Sequence, residues 1–146
     1  MTQRTLRFAP VLGSLEGFSA PELDGIVEIG YAMATANGDT SFDELEAVRS
    51  LFKYAKPTTP PRDLFDELSG KVDSSESLEA FVRSAAGKLE TPAAREAAYK
   101  AAYAIAVFDL ETNEDERELD DLLVEILGLE SRLDDLERDV NEALMA

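Results

Sequence analysis

The chain has no cysteine and no histidine. Without thiolates it forms no disulfide, no zinc–sulfur site and no iron–sulfur cluster, and it offers no cysteine nucleophile. Without imidazole there is no Ser-His-Asp triad, no imidazole metal ligand and no ready general base near neutral pH. Basic residues are scarce as well: 14 Lys and Arg face 31 Asp and Glu, a net charge of −17. Such a charge repels phosphate backbones and anionic membrane surfaces, so neither nucleic acid nor lipid headgroups are expected partners. Cations and basic protein faces are the natural ones. Long apolar runs are also missing. The longest, Ala101 to Phe108, falls far short of the ~20 residues that span a bilayer. Met1 to Arg7 lacks the apolar core of a signal peptide. The expectation is a soluble, cytoplasmic protein without direct membrane insertion, and the lack of cysteine fits that compartment.

What is present suffices for a real core: 146 residues, 45% of them apolar, fit one domain over residues 1–146. No segment alternates apolar and polar residues over a useful length, so no strand is expected. The fold class read from the pattern is all-α, a compact bundle of roughly seven helices. Residues 1–18 form a packed arm with Leu6, Phe8, Val11, Leu12 and Leu15. Ser19 to Glu22 has the form of a capping box, with Pro21 tolerated in the first turn. Leu23, Ile26, Val27, Gly30, Tyr31 and Ala34 then share a helical face. A second capping box, Ser41 to Glu44, precedes the stripe Leu45, Val48, Leu51, Phe52 and Ala55. Arg62 to Leu68 reads as a short helix broken by Gly70, and Asp73 to Glu76 as the start of the next. Thr91-Pro92 opens an alanine-rich helix to Phe108, expected to be central because alanine lets neighbours approach closely. The apolar steps from Leu119 to Ala143 continue through Gly128. Two helices joined at Leu127-Gly128-Leu129 are preferred over one long helix, with Ser131 as the new cap and residues 130–146 as the C-terminal helix.

Two stretches concentrate acids between helices. Ile105 to Glu118 runs from an apolar helix through Asp109-Leu110-Glu111-Thr112 into a helix capped by Asn113. Met33 to Glu46 has the same shape. Superposing the two pairs Asn37 with Asp109, Asp39 with Glu111, Ser41 with Asn113, Asp43 with Asp115, Glu44 with Glu116 and Glu46 with Glu118. The pattern reads as a pseudo-repeated helix–acidic elbow–helix unit. First-turn acids such as Asp43, Glu44, Asp115 and Glu116 also oppose the positive end of the helix dipole, which accounts for them without any ligand. A sharper use is a hard-cation site. Between Asp109 and Asp121 eight acids accompany only Arg117, and a divalent ion would relieve their repulsion. Oxygen ligands alone favour Ca²⁺, Mg²⁺ or Mn²⁺ over zinc or copper. The candidate metal ligands are Asp109, Glu111 and Glu116, with Asn37, Asp39 and Glu44 as a second set. Neither stretch is an EF-hand loop: Glu114 and Phe42 stand where the glycine belongs, and Asp120 and Val48 where the last glutamate does.

Ala36-Asn37-Gly38-Asp39-Thr40-Ser41-Phe42-Asp43-Glu44 resembles the Ala-Asp-Gly-x-x-Ser-x-x-Glu signature of TerB-like tellurite-resistance proteins. Phe108-Asp109-Leu110-Glu111-Thr112-Asn113-Glu114-Asp115-Glu116, followed by Leu127-Gly128-Leu129, resembles it a second time. The likeness runs roughly from Leu23 to Leu129 and departs from the pattern at Asn37 and Leu110. It implies a compact helical domain with two pseudo-symmetric halves, and acidic residues proposed to hold a metal ion. It also implies a role in tellurite or chemical-stress response beside protein partners that are often membrane-associated. No catalytic residue is expected. Acid pairs of the glycosidase type occur only among other acids at helix starts, with no cleft marked. The alternative to a cation-binding domain is a metal-free interaction module. It would use its acidic face for a basic partner, or pair two copies through Leu129, Leu133, Leu136, Val140 and Leu144. Tyr31, Tyr54, Tyr99 and Tyr103 are expected in the core with wet hydroxyls.

Overall fold

The computed structural model describes residues 7–36, 42–108 and 114–145, with only the backbone described at 42, 43, 108, 114–116 and 145. Among these residues there are eight helices and no strand. They are α1 (Ala9–Leu12), α2 (Ala20–Ala34), α3 (Phe42–Ala55), α4 (Pro61–Ser74), α5 (Leu78–Ala86), α6 (Pro92–Phe108), α7 (Glu114–Leu127) and α8 (Leu133–Met145). The all-helical bundle expected from the pattern is the observed architecture. No helix among the described residues is long and apolar enough to cross a membrane.

Local chemistry sets most of the helix ends. Ser19 Oγ accepts the Glu22 amide at 3.2 Å while Glu22 Oε1 accepts the Ser19 amide at 3.1 Å, the reciprocal capping box. Thr91 Oγ1 accepts the Ala94 amide at 3.2 Å and Pro92 opens α6. At the end of α7, Gly128 takes φ +69°. The Leu129 amide then reaches the Val124 carbonyl at 3.0 Å and the Gly128 amide reaches Glu125 at 3.3 Å. This is a Schellman close, and it makes two helices of the C-terminal stripe. Ser131 is not the cap of the second, because residues 130–132 form a turn and α8 begins at Leu133.

Other boundaries differ from the sequence pattern. α4 runs through Gly70 to Ser74, so Asp73 lies in its last turn rather than at a helix start, and Ser77 caps α5 by accepting the Ala80 amide at 3.1 Å. A helical glycine costs only about 1 kcal/mol. The extra turn half-buries Val72 against the core and brings Lys71 to Glu28, which offsets that cost.

α2 and α6 form the centre. They make the most extensive helix pair, and α6 also meets α1, α3, α7 and α8. Ala94, Ala98, Ala101, Ala102 and Ala104 of α6 are fully buried, as their small size allows. Two hydrogen bonds tie the beginnings of the pair together: the Thr91 amide and hydroxyl donate to Glu22 Oε2 at 3.1 and 2.8 Å. Farther along, a Cβ placed on Gly30 would lie 3.3 Å from Ile105 Cδ1. The two helices therefore leave a common start and run the same way. The C-terminal stripe, Leu129, Leu136 and Val140 foremost, is buried inside the chain, with α8 packed on α6 and α1. It covers its own core.

Charge also enters the core in a paired form. Glu28 is 3% exposed and receives Lys88 at 2.7 Å and Lys71 at 3.1 Å. One carboxylate thus gathers α2, α4 and the turn after α5. Removing both lysines would strand a buried carboxylate, whereas Lys71 and Lys88 themselves reach solvent.

The close packing around α2 gives a test by glycine. A Cβ on Gly25 would lie 2.8 Å from the backbone carbonyl of Ala85, whereas one on Gly70 meets nothing within 4 Å. Gly25→Ala is expected to lose about 1–3 kcal/mol by overpacking, against its gain in helix propensity. Gly70→Ala is expected to gain about 0.5–1 kcal/mol. Urea denaturation of both variants checks this, and equal signs would refute the close approach. Glu22 provides a second test. Hydrogen bonds from the Ser19 backbone first, then from the Thr91 side chain, hold its carboxyl below the ordinary 4.5. Its contribution is present above that value and is lost as pH falls through the lower folded one. Glu22→Gln should therefore melt below the parent at neutral pH, and the gap should close in acid.

Candidate functional site

Of the six residues expected to ligate a metal, Asn37, Asp39, Asp109 and Glu111 lie outside the described residues, as does the side chain of Glu116. Glu44 is described, and it is 2% exposed. It shares the inner line of α3 with Val48, Leu51 and Ala55, spaced by four, three and four. Leu45, which the pattern placed on the apolar stripe, is instead 41% exposed. The inward line of α3 begins one residue earlier than the capping pattern implies. Among the described residues, no cluster of three or more acids is disposed to hold a metal ion.

The described part of the acidic stretch is the first half of α7, and it borders a cavity on each flank. One cavity, about 330 Å³, is lined by Ala36, Leu78, Glu79, Glu118, Leu119 and Leu122. Ala36 is the residue just before the first elbow, and Glu118 follows the second. The flanks of the two acidic stretches thus meet across one hollow. This follows from α2 and α6 running the same way, which carries the ends of both to one end of the bundle.

The other cavity, about 350 Å³, lies between α6, α7 and α8, with Tyr103, Ala106, Val107, Arg117, Asp120, Asp121 and Glu137 on its walls. Tyr99 stands behind it, fully buried, its ring stacked on Tyr103 with centroids 6.0 Å apart and planes 8° apart. Tyr103 differs from it in reaching solvent, and its hydroxyl accepts from Asn141 Nδ2 at 3.2 Å. The Tyr99 hydroxyl is buried and closes no hydrogen bond of ordinary geometry among the described residues. Asp120 and Glu137 are its charged neighbours. The expectation of wet tyrosine hydroxyls therefore fails at Tyr99. The remaining tyrosines lie elsewhere: Tyr31 sits edge-on to Phe65, and Tyr54 donates to the Gly13 carbonyl.

The electrostatics follow from burial. Desolvation raises the Asp120 carboxyl above its ordinary value, and the charge of Asp121 adds to this, while the nearby Tyr99 hydroxyl works the other way. Desolvation raises Glu137 too, followed by the charges of Asp120 and Asp134. The Tyr99 phenol is pushed up, chiefly by burial and then by Asp120. Burial thus disfavours the ionised form of both carboxyls beside the buried phenol.

Spacing alone did not single out this set. In the sequence Asp120 stands out only as one acid of its stretch and at the last position of the unmet EF-hand pattern, and Glu137 not at all. Their joint distance from solvent is a property of three packed helices. No protein-family model, no curated protein and no solved structure matches the chain.

The sign of the Asp120 effect is testable. A carboxyl raised in the folded state destabilises the fold at pH values where the unfolded chain would be ionised. The penalty is absent below 3.8 and grows as pH rises to the folded value. Asp120→Asn should then melt higher than the parent near neutral pH, with the difference vanishing in acid. A lower melting point at neutral pH would contradict the burial argument.

Proposed function

We propose that the chain is a non-enzymatic, TerB-like helical binding domain of a tellurite- or chemical-stress response, and that its acidic elbows take a divalent cation. One observation carries this reading: Ala36, at the mouth of the first elbow, and Glu118, just past the second, line the same cavity. Parallel α2 and α6 are what a duplicated unit would give if its two halves faced one another. Asp109, Glu111 and Glu116 would supply most of the negative charge. Asn37 and Asp39 would complete the oxygen set, with Glu44 behind them inside α3. A hard divalent ion there would neutralise carboxylates that otherwise repel. A protein partner would then meet that end of the bundle.

The second reading is a metal-free interaction module that presents its acidic face to a basic partner. The exposure of Leu45, next to the half-exposed Glu46, favours it, since an exposed apolar side chain beside charge suits a protein interface. Calorimetric titration with Ca²⁺, Mg²⁺ and Mn²⁺ separates the two. Saturable heat that disappears in the double variant Asp109→Asn, Glu116→Gln is the expected result. Absence of saturable heat in the unmutated protein would sink the cation reading and leave the interaction module.

A further inference from the structure

A third hollow, where the ends of α5 and α7 meet the start of α6, carries charge opposite to that of the chain. The sequence has 31 acids and 14 bases, yet two arginines, Arg83 and Arg95, and no acid line this hollow. The helix dipole accounts for only one of them. Arg83 lies in the last turn of α5, where a cation is favoured. Arg95 lies one turn into α6, toward the end where a cation is disfavoured. Its Nε–H donates to the Leu89 carbonyl at 3.1 Å, and it forms no ion pair among the described residues. Both of its terminal amino groups are thus left to donate. Arg83 reaches Glu79 at 3.8 Å between two side chains more than half exposed, a pair of little strength. The helix ends here do not oppose an anion. At α5 the amides of Gly87 and Lys88 engage the carbonyls of Arg83 and Ala85, and at α7 the Schellman bonds engage those of Val124 and Glu125.

We propose that this hollow binds a small amphiphilic anion, a carboxylate or phosphate monoester head on a short apolar body. Planar guanidinium forks match the paired oxygens of such a head. Leu127, 5% exposed, with the half-buried Ala86 and Ile126, gives the body an apolar wall. The volume, about 490 Å³, exceeds what a bare inorganic anion fills and lies in the range of small-molecule sites. The net charge of −17 does not forbid such a ligand. Screening acts over about 8 Å at physiological salt, so the head feels the arginines beside it more than the carboxylates beyond them. A polyanion would meet the acidic surface around the hollow, which restricts the ligand to a small one.

The test titrates the full-length protein with hexanoate, hexyl phosphate, inorganic phosphate and 1-hexanol, followed by calorimetry and NMR shift mapping. Both hexyl anions should bind saturably, shift signals at the ends of α5 and α7 and the start of α6, and weaken as salt rises. Which of them binds more tightly distinguishes a carboxylate head from a phosphate one. Arg83→Gln changes an exposed side chain, so it should keep the melting temperature while anion affinity falls about tenfold. Arg95→Lys keeps the charge and loses the fork, and it should weaken binding to a similar degree. No saturable binding of either hexyl anion would overturn the proposal, as would binding that both variants leave unchanged. Equal affinity for 1-hexanol would overturn it because the arginines would then be idle. Equal affinity for inorganic phosphate would overturn it because the apolar wall would be. The double variant Asp109→Asn, Glu116→Gln should bind the hexyl anions as the parent does, so this site and the elbows are tested independently.

Discussion

The close, same-direction packing of α2 on α6 governs the rest of the molecule. Helices far apart in sequence can lie this near only if their contact residues are small. Here Gly30, with Ile105 of α6 close by, on one side and a run of alanines on the other meet the requirement, while Gly25 admits the end of α5. The Glu22 carboxylate, clamped between the Ser19 and Thr91 caps, pins the two starts together. It does so with the same side chain that closes the α2 capping box, so one residue terminates a helix and registers it against its neighbour. Once this pair is set, α3, α5, α7 and α8 have defined faces to cover, and each buries a stripe of Leu, Val, Phe or Ile against it. Fully burying one such side chain contributes about 1.5–3 kcal/mol.

The same geometry determines where charge can go. With 31 acids and 14 bases, most carboxylates stay at the surface, where mutual repulsion is screened by water and salt. Among the described residues three glutamates do not: Glu22, Glu28 and Glu44 are all nearly inaccessible. Glu22 is satisfied by amides and a hydroxyl, and Glu28 by two lysines that converge from α4 and from the turn after α5. Burial of a charge is tolerable when its partners are this complete. Asp120 and Glu137 are the contrast. They are partly desolvated, and no ion pair with a lysine or arginine is seen for them among the described residues, so their ionised forms are disfavoured.

The first half of α7 gains its importance from position. Its residues face two hollows, one shared with the end of α2 and one with α6 and α8. A helix that enters a bundle at its rim leaves both of its flanks partly uncovered for a turn or two. The acids there cannot be covered by apolar neighbours and so line the openings. Of the acids in that stretch, Glu118 lines the first of these hollows and Asp120 and Asp121 the second.

The sequence by itself determined the helical class, the capping box at Ser19, the proline start of α6, the glycine joint at 128 and the burial of the alanine-rich helix. Each depends on chemistry within one or two turns, such as a hydroxyl that reaches an amide three residues on, or a glycine that accepts positive φ. It also excluded thiol and imidazole chemistry outright, since the residues are missing. Tertiary structure decided the rest. Gly70 stays helical because Val72 and Lys71 find partners on other elements. Glu44 turns inward and Leu45 outward because the face of α3 is chosen by α2 and α6, and the local cap pattern has no say in it. Tyr99, Asp120 and Glu137 come from three helices, and what they share is desolvation. No spacing along the chain encodes desolvation, because it depends on how much water the packed helices exclude.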